Sequence, residues 1–128
     1  MKIKIESGGL TREAELYEDI APQTVKAVLS NLPIEGEANT WGDEIYFKAD
    51  IGVEVQENSH EVVEMGDVAY WIDGKALCIF FGKTPMSTDD QIVPAGPVNV
   101  MGKVTGDAKD FKQVKMATLL DLWIKEVI

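Results

Sequence analysis

Residues 66–82 read GDVAYWIDGKALCIFFG, and their reading decides the fold. Two apolar runs flank Asp73–Gly74, a pair favoured in tight hairpin turns. Their β-branched and aromatic residues suit strands. Alternation sends Ala76, Cys78 and Phe80 to one face and Leu77, Ile79 and Phe81 to the other. Ala69 and Trp71 against Val68 and Tyr70 repeat the pattern. Both faces are apolar, so one belongs to a core and the other needs a cover or a bound partner.

Working outward, KIKIE and TREAELYE alternate around Gly8–Gly9 and predict a second hairpin. IAPQTVKAVLSNLP places Val25, Val28, Leu29 and Leu32 at helical spacing, with Pro22 in the first turn and Pro33 as the stop. IEGEAN reads as a polar connection and TWGDEIYF, residues 40–47, as a strand. Residues 48–58 are ambiguous, although Ile51, Val53 and Val55 alternate. PMSTDDQIVPAGP is a long loop, NVMGKVTGD a strand and DAKDFKQV a short helix. The tail, residues 117–128, fits either a strand or a helix. The whole chain, 1–128, reads as a single domain. Many short strands with Gly and Pro turns predict a mainly β barrel or sandwich.

Composition narrows the functions. Twelve basic against 22 acidic residues give a formal charge of −10, which disfavours nucleic acid and anionic membranes. No apolar run is long enough to span a bilayer, and the reading is of a cytoplasmic chain. One cysteine, Cys78, and one histidine, His60, leave no multi-cysteine or histidine-pair metal site. No metal and no cofactor are expected. Cys78, between Leu77 and Ile79, reads as an inert core thiol, and His60 as a solvated loop residue. Phe81-Gly82-Lys83-Thr84 superficially matches the end of a phosphate loop, but Cys78 stands where that motif needs Gly and Pro85 forbids the following helix.

In order along nearly the whole chain, IAPQTVKAVLSNLP, GDVAYWIDGKALCIFF and Asn99-Val100-Met101-Gly102-Lys103-Val104 resemble the first helix, a strand pair and a late strand of cyclophilins. WGDEIYF and GDVAYW more narrowly resemble a small prokaryotic cyclophilin-like family. The resemblance implies a closed eight-stranded antiparallel barrel with one or two short capping helices. Cyclophilins are peptidyl-prolyl isomerases that donate a hydrogen bond from an arginine near the proline nitrogen, weakening the partial double bond that resists rotation. The matching strand here is Trp41-Gly42-Asp43-Glu44-Ile45. The chain has no arginine after Arg12, and an ionised carboxylate cannot donate.

No catalytic residue is assigned on this reading. A ligand groove is expected from Trp41, Asp43, Glu44, Tyr46, Trp71, Cys78 and Phe80, aromatic in its walls and acidic at its edge. Asp43 and Glu44 are adjacent on a strand, so only one of them faces the groove, and that one would favour a basic or amine-bearing ligand. The expected function is a binding module for a peptide or small molecule, with prolyl isomerase activity weak or absent. The alternatives are an active isomerase, and an interaction subunit whose groove is a homo-oligomer interface.

Overall fold

A computed structural model describes residues 1–113 and 121–126. The chain forms strands β1 (Lys2–Ser7), β2 (Leu10–Leu16), β3 (Ile34–Glu37), β4 (Asn39–Thr40), β5 (Glu44–Lys48), β6 (Ser59–His60), β7 (Asp67–Trp71), β8 (Ala76–Phe80), β9 (Val98–Val104) and β10 (Asp121–Glu126). Helix α1 spans Pro22–Ser30, and a 3-10 turn spans Ala108–Phe111. Both anticipated hairpins are present, and their registers pair Ile3 with Ala14 and Ala69 with Cys78. The tail is a strand over 121–126, antiparallel to β1. The remainder of that ambiguous segment, 117–120 and 127–128, lies outside the described residues.

The antiparallel sheet runs β3-β10-β1-β2-β9-β7-β8-β5-β4, with β6 paired to β9. This corrects the expected closed ring of eight strands. Ten strands coil into a half-barrel, and no ladder among the described residues pairs β3 with β4. These two end strands are consecutive, with only Ala38 between them, so the chain itself spans the seam. Packing draws the ends together. A Cβ on Gly36 of β3 would lie 2.7 Å from Phe47 Cδ2 of β5, so glycine there lets the Phe47 ring lie flat against the neighbouring backbone.

The two-faced pattern of β7 and β8 has a direct outcome. Val68, Tyr70, Leu77, Ile79 and Phe81 join Ile3, Ile5, Ile45, Phe47 and Met101 in the core inside the half-barrel. Helix α1 plugs that core with Val25 and Val28, while Leu29 and Leu32 are only partly buried against it. Ala69, Cys78 and Phe80 belong to a second cluster on the outer face, with Val63, Val98 and Val100. Each large apolar side chain buried in this way contributes about 1.5–3 kcal/mol.

Two elements differ from the sequence reading. TWGDEIYF is not one strand: Trp41–Asp43 form the turn between β4 and β5, closed by reciprocal hydrogen bonds from Trp41 N to Glu44 O at 2.9 Å and from Glu44 N to Trp41 O at 3.2 Å. The polar IEGEAN contains β3, whose hydrogen bonds go to the sequence-distant β10.

Candidate functional site

The outer face of β5, β8 and β7 carries the site. Register sets Glu44 opposite Phe80, Tyr46 opposite Cys78, and Cys78 opposite Ala69, with Trp71 opposite Ala76. Cys78 therefore sits in the middle strand, between the outward residues of its neighbours. A cover, the loop of residues 81–97 between β8 and β9, lies over part of this face, with Ile92 packed on the outer cluster and bridged to Val63. Its shape comes from its own hydroxyls. Ser87 Oγ accepts from Thr84 N at 2.9 Å and from Val93 N at 3.0 Å, and the Thr84 hydroxyl donates to the Val93 carbonyl.

Between the end of the cover and the sheet lies a cavity of about 240 Å³, lined by Trp41, Glu44, Tyr46, Trp71 and Ala95. Of the residues expected at a groove, Trp41, Glu44, Tyr46 and Trp71 are brought together there. Phe80 and Cys78 are fully buried in the cluster beneath. Asp43 is turned elsewhere: its main chain bonds Lys83 O and Phe81 N, and a Cβ on Gly82 would fall 2.4 Å from its Oδ2. Glu44 is thus the acid on the groove face. Sequence reasoning missed Ala95, which sits in a loop with no periodicity. The only signal there was the small, turn-forming run Pro94-Ala95-Gly96-Pro97.

Two residues that line this cavity, Glu44 and Trp71, each hold a buried polar atom without a hydrogen-bond partner, Oε1 and Nε1. Glu44 is 5% exposed. Burial disfavours its charged form and raises its pKa from 4.5 to about 7, while the Cys78 thiol beside it pulls the other way. The same burial, with the Glu44 charge adding to it, holds Cys78 well above the usual thiol range, so it is no thiolate nucleophile. Trp71 takes its pose from the hairpin turn. A Cβ on Gly74 would lie 2.2 Å from Trp71 Cε3, so the indole lies directly on the glycine. The left-handed backbone of that turn falls on Lys75, with φ 49°, and not on Gly74. Gly96 in turn leaves the indole N–H uncrowded, since a Cβ there would stand 3.3 Å from Nε1.

Size alone does not pick out this site. A larger hollow, about 520 Å³, lies along Glu18, Pro22, Lys26, Leu29 and Ser30, but most of these side chains are exposed and none holds an unpartnered buried atom. Another, about 270 Å³, includes Glu64, Asp67 and Lys103, whose charges already pair, Lys103 Nζ lying 2.6 Å from Glu64 Oε2.

The family model described as Cyclophilin-like matches residues 1–122. This chain belongs to the cyclophilin-like family. Among solved structures, the cyclophilin-like chain is similar to the hypothetical protein AF2241 from Archaeoglobus fulgidus, at 47% identity over 99% of this chain and 95% of that one, with a TM-score of 0.82. It also shares its fold with McbB, solved in complex with tryptophan, at 15% identity over 98% of this chain and 46% of McbB, with a TM-score of 0.75. At that identity the likeness is one of fold alone. Sequence comparison with curated proteins gives no match. The cyclophilin-like domain has no helix among its described residues long and apolar enough to cross a membrane.

Proposed function

We propose that this protein is a cyclophilin-like binding module whose site is the cavity between Trp41, Glu44, Tyr46 and Trp71, and that prolyl isomerase activity is weak or absent. One observation carries the reading. Glu44 and Trp71 line the same hollow, and each holds a buried, unpartnered polar atom, the acceptor Oε1 and the donor Nε1. Each such group costs about 1–3 kcal/mol, and a ligand that supplies the missing partners recovers it. The cavity, about 240 Å³, is smaller than the roughly 300–1,000 Å³ usual for drug-sized ligands. It suits a small molecule or one peptide side chain.

The isomerase alternative lacks its donor. The sole arginine, Arg12, lies on β2 and is engaged by Asp110, with Nη2 2.7 Å from Oδ2. Isotope-labelled protein titrated with a fragment set, tryptophan and an Ala-Pro peptide tests the proposal by NMR. Fragment-induced shifts at the Trp71 indole and Glu44 signals are expected, with no cis/trans exchange peaks in the peptide. Exchange at catalytic protein concentrations would restore the isomerase reading, and a silent cavity across the whole set would overturn the binding module.

A further inference from the structure

Resting on that reading, we infer that the ligand is an organic ammonium ion, its cation placed against Glu44 and the aromatic walls and a hydrogen-bond acceptor at its far end meeting Trp71 Nε1. Glu44 is the single charged side chain that lines the cavity, and three of the four other lining residues are aromatic. Aromatic faces attract cations, most strongly where water is excluded. No lysine lines the hollow, and the flanking Lys48 and Lys83 are both exposed. An anionic ligand would meet a buried carboxylate with no counter-charge, which is costly. The formal charge of −10 further draws cations to the molecule.

The geometry also separates this ligand class from a metal ion. Hard cations such as Ca²⁺ take about 6–8 oxygen ligands, whereas the side chains of this cavity offer one carboxylate, one phenol and two indole N–H groups, which only donate. Glu44 and Trp71 lie two strands and four residues of register apart, on the order of 15 Å between backbones. A ligand that meets both must therefore carry its charge and its acceptor at separate ends. The titratable side chains facing Glu44 across the sheet are the Cys78 thiol of β8 and, on its own strand, the Tyr46 phenol. Neither is a cation that could neutralise it. Charge balance at the carboxylate thus falls to a proton or to the ligand.

The test pairs ammonium ions with neutral carbon isosteres: choline with 3,3-dimethylbutan-1-ol, and 5-aminopentanamide with hexanamide. NMR titration of the intact protein reads the Trp41 and Trp71 indole signals. At least one ammonium ion of the set should bind roughly 10-fold more tightly than its isostere. Glu44→Gln, checked for folding by its amide spectrum, should cut that preference to the smaller part the aromatic walls supply while still admitting the isostere. Isosteres that bind as well as the cations, or a preference undiminished in Glu44→Gln, overturn the ammonium inference and leave the binding module standing. If no ammonium ion binds while other fragments do, the inference again fails alone. If no compound of any charge moves either indole, both fall.

Discussion

At the scale of single residues, Glu44 carries the sharpest expectation. Folded, it keeps its proton up to about pH 7, while the unfolded chain releases it near 4.5. The unfolded state therefore gains as pH rises through that window, and stability should fall by roughly 3 kcal/mol across it. Glu44→Gln removes this contribution. The difference in urea stability between the variant and the native protein should grow in the variant's favour from pH 5 to pH 8. Asp67, whose pKa burial also raises, titrates in both proteins and cancels. Gly74→Ala tests the seat of Trp71. The added methyl displaces the indole, costs about 1–3 kcal/mol in thermal or urea unfolding, shifts the Trp71 indole signal and weakens ligand binding. Much of the candidate cavity's lining was legible at this scale, because aromatic residues alternating on strands announce a face. Which of Asp43 and Glu44 faced the cavity was not, because the answer depends on the residue at which β5 begins. Ala95 left no trace, since its role comes only from where a loop happens to pass.

At the scale of elements, helix α1 starts without a side-chain cap of its own. Glu57 supplies one from the loop between β5 and β6, accepting from Gln23 N at 3.1 Å, Thr24 N at 2.7 Å and the Thr24 hydroxyl at 2.8 Å. Buried Asn99 of β9 completes the junction by donating to the Thr24 hydroxyl and to Val55 O. Glu57→Ala should cost about 1–2 kcal/mol, read as a lower urea midpoint, with hydrogen exchange quickened in the first turn of α1. These bonds hold the Glu57 carboxyl below its usual pKa, although desolvation works against them. Their contribution is thus present above the ordinary carboxylate range and is lost as pH falls below it. The sequence predicted this helix from its apolar spacing and Pro22, yet gave no hint of a cap 33 residues away. The same distance hid β3. IEGE looks polar because its pairing comes from β10, and pairing between remote segments writes no local pattern.

At the scale of the whole molecule, the order of elements and the mainly β architecture were legible, because hairpin turns and period-2 runs are local signals. Closure was not. Whether a strand is continuous or breaks at Ala38 is settled by how both sheet ends pack. Gly36 marks that packing, and Gly36→Val should destabilise the fold by about 1–3 kcal/mol through the clash with Phe47. Phe47 belongs to the inner core and not to the cavity, so indole shifts on ligand titration should be unchanged in that variant at temperatures where it stays folded.

The cover over the outer face has an evolutionary consequence. Thr84, Ser87 and Val93 brace it internally, so its shape is inherited with its own sequence and not imposed by the strands below. Pro94, Ala95 and Pro97 can then diverge while Gly96, the carboxylate and the rings beneath remain. One half-barrel could thereby furnish a lineage of receptors that differ in the tail of the molecule they accept and agree on its head.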